Sequence, residues 1–246
     1  MLARMFCQTT ISTGRHRPEQ KRRPLLVAEA VAAVAFALTA ITQAQPNTSV
    51  NLLLDAAAAR PGDTVFAGIV LESAPNWHTY WRNPGESGAA TKIDWALPSF
   101  ITAGDIMWPP PEEHVAGGLT TYVYHGKTML IVPLTVSSNA VPGQYEVTAK
   151  VDWLECYEEC VPGESTVKAR LEIATEQRAS PHADQINDWL KRIPRRYPDL
   201  QVISYWNQNP AGDINELAIV VAANTNIQPA NFIAYPIDGV EVLPAV

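Results

Sequence analysis

The sequence has little cysteine, little charge and few long apolar runs. Three cysteines occur in 246 residues, too few for a small domain held together by disulfides. Charged residues make up 17% of the chain, and 18 Lys and Arg stand against 25 Asp and Glu. The resulting net charge of −7 argues against binding to nucleic acid or to an anionic membrane surface. The one long apolar run, Leu25 to Ile41, is interrupted by Glu29, which argues against its being a membrane span. No other segment of the sequence is apolar enough to cross a membrane, so we expect no other span.

The N-terminus has the features of a secretory signal. A basic cluster at residues 21–23 precedes the apolar run, and small residues follow it. We predict that residues 1–44 are a signal peptide, with an uncleaved membrane anchor as the alternative. Cleavage removes Cys7 and leaves a soluble mature chain with Cys156 and Cys160. A single cysteine pair in an exported protein favours a disulfide.

Short β-strands separated by turns are indicated over residues 45–175. Apolar and polar residues alternate along 147–153 and again along 167–173, the pattern of strands with one buried face. Pro-Gly pairs at 61–62 and 142–143 favour tight turns. Many short strands with such turns predict an all-β fold, an immunoglobulin-like antiparallel β-sandwich.

The remaining chain predicts a short helix and a partial second β unit. Ser180 is expected to cap a helix whose first turn contains Pro181 and which ends at Pro194. We therefore assign 176–198 to a helical linker. Three strand-like segments in 199–246 are too few for a second sandwich, so this part is predicted as a partial, possibly truncated, β domain.

Cys156 and Cys160 join the two clearest strands and are expected at the tip of a hairpin. Three intervening residues across such a turn permit the Cα spacing of a disulfide. The pair could form a structural disulfide, a redox disulfide or part of a metal site. A five-residue loop restrains the unfolded chain little, and an exposed bridge suits thiol exchange better than stapling.

A metal site is the weakest of these three interpretations, and we predict no metal. Zinc needs four ligands, or three and a water molecule. For zinc, the two thiols would need histidines that only the fold could gather, whereas copper(I) would accept the two thiolates alone. Four histidines follow the predicted signal: His78, His114, His125 and His182.

Several neighbours are expected to influence the cysteine pair. Trp153, Tyr157 and Pro162 are predicted to frame it, as core and rim packing or as a docking surface. His78 and Tyr80 could also lie near it, although the sequence does not place them. Four acidic residues surround the pair in sequence and should raise the pKa of both thiols: Asp152, Glu155, Glu158 and Glu159.

Four motifs in order resemble one known family. They are Trp77–Gly85 (WHTYWRNPG), Trp108-Pro109, the glycine- and tyrosine-containing stretch Gly118–Gly126, and the cysteine stretch Trp153–Gly163. Together they are similar to the periplasmic N-terminal domain of the thiol:disulfide interchange protein DsbD, and closest to its ScsB-type branch. The resemblance covers roughly residues 47–175.

The resemblance implies a periplasmic immunoglobulin-like domain, without cofactor, in which Cys156 and Cys160 are the redox pair of a protein-disulfide reductase. Electrons would come from a membrane-embedded thiol reductase domain through a thioredoxin-like domain. They would pass to periplasmic substrates such as disulfide isomerases, cytochrome c maturation proteins or thioredoxin-like proteins. If the chain is complete, its electrons must come from a separate protein.

The family also has a cap loop that shields the cysteines. By order along the chain, that role falls to Glu113, His114, Val115, Ala116 and Gly117. This sequence departs from DsbD itself in its closer cysteine spacing and in Val115, which stands where an aromatic residue is expected. The alternative function is a non-enzymatic immunoglobulin-like binding or assembly module, in which the disulfide only pins a hairpin.

Overall fold

The alternating strands of the sequence form two sheets that share one apolar core. A computed structural model describes residues 46–195, 201–207 and 216–222. The predicted signal peptide therefore lies outside the described residues. In chain order, the elements are β1 (Thr48–Leu54), β2 (Ala56–Ala59), β3 (Thr64–Ser73), β4 (His78–Gly85), β5 (Lys92–Ala96), β6 (Ile101–Ala103), β7 (Glu112–Ala116), β8 (Leu119–His125), β9 (Lys127–Val136), β10 (Gly143–Cys156), β11 (Cys160–Ile173), β12 (Arg178–Ala179), α1 (Ala183–Leu190), β13 (Gln201–Asn207) and β14 (Glu216–Ala222).

The first sheet has the strand order β1-β3-β9-β6, and the second has the order β12-β2-β11-β10-β4-β8-β7, with β5 paired to β10. Most neighbours are antiparallel, and the pairing of β2 with β11 is parallel. Side chains of both sheets form one buried cluster, such as Ile69 and Leu134 from the first and Val151 and Leu171 from the second. The predicted all-β, immunoglobulin-like sandwich is confirmed.

The helix begins later than its sequence signals predict. The structure places His182, not Ser180, at the N-cap position, and α1 ends at Leu190. The Ser180 hydroxyl contacts the carbonyl of Leu54 and accepts a hydrogen bond from the His182 N–H at 2.9 Å. The first of these bonds ties Ser180 to β1, and the second closes a turn from Ser180 to His182. The helix therefore begins only after this turn.

Residues 112–118, expected to be a loop, form β7 and a tight turn. Gly117 and Gly118 have φ of +62° and +81°, and β7 pairs with β8 from Ala116↔Leu119 onward. Two consecutive glycines at positive φ suit the two-residue hairpin turn whose twist matches that of the strands. The predicted cap segment is therefore the last strand of its sheet.

The C-terminal part of the described chain contains a two-stranded antiparallel pair, β13 with β14. Strands were expected at these two places, and the third expected strand, 232–243, lies outside the described residues. The proposed division into a first domain, a linker and a partial second domain remains a prediction. Among the described helical residues, no segment is long and apolar enough to cross a membrane.

Candidate functional site

Cys156 and Cys160 form a disulfide at the end of the longest hairpin. Strands β10 and β11 pair without interruption over 14 residues each, and Cys156↔Cys160 is the last pair before the turn. The S–S bond is 2.02 Å long and the two Cα atoms are 4.2 Å apart. The regular alternation of β10 therefore carries the disulfide to the rim of the second sheet.

The two sulfurs lie in different surroundings. Cys156 is buried, with 3% of its surface exposed, and it packs with Tyr80, Val123 and Leu154. Cys160 is exposed at the start of β11. A thiolate from another protein can therefore approach the sulfur of Cys160 more readily than that of Cys156.

A buried tyrosine holds the inner sulfur. The Tyr80 hydroxyl donates a hydrogen bond to Cys156 Sγ at 3.0 Å and lies 3.8 Å from Cys160 Sγ. Burial raises the pKa of Tyr80, so the hydroxyl keeps its proton at neutral pH. Gly88, at φ +109°, packs its backbone against the Tyr80 ring, where any Cβ would overlap that ring. The loop after β4, which contains Gly88, therefore positions this hydrogen-bond donor.

Trp153 belongs to the core beneath the disulfide. It is 4% exposed, and it faces Gly163 across the hairpin. A Cβ at Gly163 would overlap the Trp153 indole, so glycine leaves the space that the ring occupies. The indole N–H donates to Glu155 Oε2 at 3.0 Å.

Glu155 is a fully buried carboxylate next to Cys156 in sequence. Its Oε1 accepts hydrogen bonds from the Asn47 backbone N–H at 2.7 Å and from Asn47 Nδ2 at 3.0 Å. Burial alone raises the pKa of Glu155, but the hydrogen bonds from Trp153, Asn47 and Thr48 outweigh it and hold this pKa below its usual value. The carboxylate thus ties the hairpin to the start of β1. Of the four acidic residues expected around the thiols, Glu155 is buried and its carboxylate accepts hydrogen bonds from Asn47 and Trp153.

Three histidines meet beside the disulfide. His78 lies opposite Cys156 in the register of β4 with β10, and it lies opposite His125 in the register of β4 with β8. His114, on β7, completes the group, with its ring centre 4.9 Å from that of His78. Burial, together with the charges that His114 and His125 would carry, lowers the pKa of His78 to about 4. His78 is therefore neutral at physiological pH.

Apolar side chains are exposed around the same rim. Tyr157 is 54% exposed in the turn, and its ring centre is 6.3 Å from that of Trp77. Val161 and Pro162 follow Cys160 on the exposed start of β11. In the predicted cap segment, Val115 is 63% exposed.

The structure therefore brings together only part of the site drawn from the sequence. Tyr157 and Pro162 lie at the rim, and Trp153 lies in the core. His114 of the cap segment contacts the site through His78, whereas the other cap residues are exposed: Glu113, Val115, Ala116 and Gly117. The sequence did not assign Tyr80 to the sulfur. Tyr80 lies two residues from His78, so both side chains lie on one face of a strand. This spacing was the sequence feature that could have placed Tyr80 with His78 at the site.

Comparisons with known proteins identify the family of this chain. The family model for the N-terminal part of the thiol:disulfide interchange protein DsbD matches residues 49–172. The crystal structure of the N-terminal periplasmic domain of ScsB from Proteus mirabilis is similar, at 16% identity, 72% coverage of this chain, 79% coverage of that chain and a TM-score of 0.41. The DsbD N-terminal domain of Neisseria meningitidis in the reduced form has 14% identity, coverages of 52% and 89%, and a TM-score of 0.27. No curated protein matches the chain.

The family match begins in β1 and ends one residue before the end of β11. It therefore includes all strands from β2 to β10, nearly all of β1 and β11, and the cysteine hairpin, and it spans half of the sequence. The chain belongs to the family of DsbD N-terminal domains, which are thiol–disulfide exchange domains.

Proposed function

We propose that the protein is a periplasmic protein-disulfide reductase component that relays electrons through Cys156 and Cys160. In this role it accepts electrons from a membrane-embedded thiol reductase domain and passes them to thioredoxin-like periplasmic proteins. The observation that carries the proposal is the asymmetry of the disulfide, with Cys160 exposed and Cys156 buried, its sulfur hydrogen-bonded by a tyrosine hydroxyl. The family membership supports the choice of partners.

The first step is attack by a partner thiolate on the exposed Cys160 Sγ. A bond forms between the partner's sulfur and Cys160, and the Cys156–Cys160 bond breaks. The electron pair of the broken bond passes to Cys156 Sγ, which leaves as a thiolate. The Tyr80 hydroxyl, 3.0 Å away, donates its hydrogen bond to this developing charge.

The second step completes the transfer of two electrons. A second thiolate of the partner attacks the partner's own sulfur in the mixed disulfide, and Cys160 leaves as a thiolate. The partner is now oxidised to a disulfide and the Cys156–Cys160 pair is reduced, with protons taken up from solvent. Delivery to a substrate runs the same steps in reverse, and Cys160 is then the attacking thiolate.

The reduction potential of the pair tests this proposal. Equilibration of the protein with glutathione or dithiothreitol buffers should give a value of roughly −270 to −120 mV, between thioredoxin and the oxidising periplasmic enzymes. A value below about −300 mV means a structural disulfide. That result would replace the relay with the alternative of a binding or assembly module whose disulfide pins the hairpin.

A trapping experiment tests the identity of the reactive sulfur. The Cys156→Ser variant keeps the exposed Cys160 and removes the residue that resolves mixed disulfides. It should accumulate a mixed disulfide with an oxidised thioredoxin-like protein, whereas the matched Cys160→Ser variant should accumulate little. Equal trapping by both variants would contradict the assignment of Cys160 as the attacked sulfur.

A further inference from the structure

An aromatic pair adjoins the disulfide at the rim of the second sheet. Trp77 directly precedes His78, the residue that lies opposite Cys156 in the register of β4 with β10. Its side chain is half-buried, and its ring centre is 6.3 Å from that of Tyr157. Tyr157 itself is 54% exposed in the turn between the two cysteines. Two rings from separate segments of the chain therefore form one partly exposed surface beside the sulfurs.

A tight turn before β4 sets the position of Trp77. The Trp77 N–H donates to the carbonyl of Ala74 at 3.0 Å, and Asn76, inside this turn, has a φ of +72°. Among the described residues, Asn76 is the only one other than glycine with a positive φ. Asparagine adopts this conformation more readily than most residues, and backbone of this kind is concentrated at functional sites. The turn that presents Trp77 is therefore a specialised part of the chain.

Disulfide exchange brings the backbone of another protein to this surface. In a mixed disulfide the two Cα atoms are usually about 4.4–6.8 Å apart. Cys160 is exposed, and Val161 beside it is 37% exposed. A protein whose sulfur is bonded to Cys160 must therefore lie against the exposed side chains next to it, among them Val161 and Tyr157.

The same surface is negatively charged. Glu158 and Glu159 are exposed in the turn, and within the part of the chain that the structure describes neither carboxylate is in a salt bridge. Lys150, on the same hairpin, is already paired with Asp152 at 3.6 Å and with Glu164 at 2.8 Å. The whole chain carries a net charge of −7. A partner with basic residues around its cysteine therefore has the complementary charge.

We propose that this rim is the docking surface for a thioredoxin-like protein whose active-site cysteine is bordered by apolar residues and by lysine or arginine. The surface consists of Trp77, Tyr157, Glu158, Glu159 and Val161. This inference rests on the proposed function and adds the residues that select the partner. Aromatic side chains buried at the centre of an interface carry much of its binding energy, whereas complementary charges mainly speed association and exclude wrong partners.

The aromatic part is tested by reducing the oxidised protein with two reductants, dithiothreitol and a reduced thioredoxin that carries lysines beside its active-site cysteine. Each gives two electrons to the Cys156–Cys160 bond and becomes a disulfide itself, but dithiothreitol is too small to cover the docking surface. The ratio of the second-order rate constants, thioredoxin to dithiothreitol, should fall about tenfold in Tyr157→Ala and in Trp77→Ala. Tyr157→Phe keeps the ring and should keep the ratio. Tyr205→Ala, which removes a 51% exposed tyrosine from β13, is the matched control.

The acidic part is tested by salt and by the charge of the partner. Reduction by the lysine-bearing thioredoxin should slow as sodium chloride is added, and a double variant with Glu158→Gln and Glu159→Gln should lose most of this dependence. Replacing the lysines of the thioredoxin by glutamate should slow reduction of the wild type more than that of the double variant. Glu176→Gln, an exposed substitution after the far end of β11, should behave as the wild type does.

The outcomes separate this surface from the relay on which it rests. If thioredoxin reduces the wild type no faster than dithiothreitol does, the relay fails, and the docking surface fails with it. If thioredoxin reduces the wild type rapidly and the ratio in Tyr157→Ala stays within about twofold of the wild type, the relay stands and the docking surface is wrong. Tyr157 lies in the exposed turn, so its variants decide the question even if Trp77→Ala does not fold. Equal salt dependence in the wild type and the double variant would remove the acidic pair from the surface.

Discussion

At the scale of the residue, Tyr80 gives the proposed exchange a feature that can be tested. Its hydroxyl donates to Cys156 Sγ at 3.0 Å, on the side of the sulfur that leaves when Cys160 is attacked. In the proposed exchange, this sulfur is the leaving group and Tyr80 is its hydrogen-bond donor. A leaving sulfur benefits from one because the rate of exchange rises as the leaving thiolate becomes more stable.

We predict that Tyr80→Phe slows reduction of the disulfide by dithiothreitol about tenfold. Hydrogen bonds to charged groups contribute about 1.5–3 kcal/mol, and about 1.4 kcal/mol in a barrier is a factor of ten in rate. The loss also raises the pKa of the Cys156 thiol, which alkylation rates against pH measure in the reduced protein.

Tyr124→Phe is the matched control for this substitution. Tyr124 is a buried tyrosine on the neighbouring strand, and its hydroxyl donates to the carbonyl of Pro109 at 2.7 Å. Its loss removes a hydrogen bond without touching sulfur, so the reduction rate should stay that of the wild type. An equal slowing in both variants would mean that the effect comes from general loosening of the domain and not from the donor.

At the scale of the element, Trp153 packs against Gly163 across the cysteine hairpin. We predict that Gly163→Ala destabilises the protein by about 1–3 kcal/mol, the usual cost of forcing extra atoms into a packed core. The added Cβ overlaps the indole, so Trp153 must move and its hydrogen bond to Glu155 is disturbed. Urea unfolding of the oxidised protein at pH 7 measures the change.

Val161→Ala, two residues away at the exposed start of the same strand, is the control for Gly163→Ala. Exposed substitutions usually change stability by less than about 0.5 kcal/mol. A Gly163→Ala variant as stable as this control would show that the indole can shift without cost, and that glycine is not required opposite Trp153.

Element by element, the sequence predicts best where one face of a strand is buried. β10 and β11 alternate strictly, and both were predicted with the cysteines at their tip. β7 was missed because it is the last strand of its sheet and Glu112, Glu113 and Ala116 are all exposed, so it has no apolar period to detect. The Gly-Gly pair after β7 was the remaining sequence feature that indicates a hairpin. The proline run before β7 favoured a loop instead.

At the scale of the whole molecule, the sequence predicts the fold class more completely than the site. Apolar alternation and Pro-Gly turns indicate a sandwich, because burial of one strand face is a local property. The meeting of Tyr80 with Cys156, and of His78 with His114, depends on which strands become neighbours. Strand order is set by the packing of the entire core, so contacts between residues 36 or 76 positions apart could not be read from local pattern.

Glu155 links the two sheets of this sandwich, because it joins the hairpin tip to Asn47, which directly precedes β1. Its pKa in the folded state lies below the usual value, so the ionised form is stabilised by folding. Such a group contributes stability at pH values above its unfolded-state pKa, about 4.3 for glutamate. This contribution is lost as the pH falls through the lower folded-state pKa.

We therefore predict that Glu155→Gln lowers the free energy of unfolding by about 1–3 kcal/mol at pH 7, because the buried donors of Asn47 and Trp153 lose their charged acceptor. The gap to the wild type should shrink as the pH falls from 5 to about 3, since the wild type alone then loses the contribution of the carboxylate. Urea unfolding of the oxidised protein at several pH values measures both quantities. Glu158→Gln, on the exposed turn, should change stability by less than about 0.5 kcal/mol throughout. A gap that stayed constant with pH would mean that Glu155 acts by shape and hydrogen bonding alone, and that its charge contributes nothing to the stability of the sandwich.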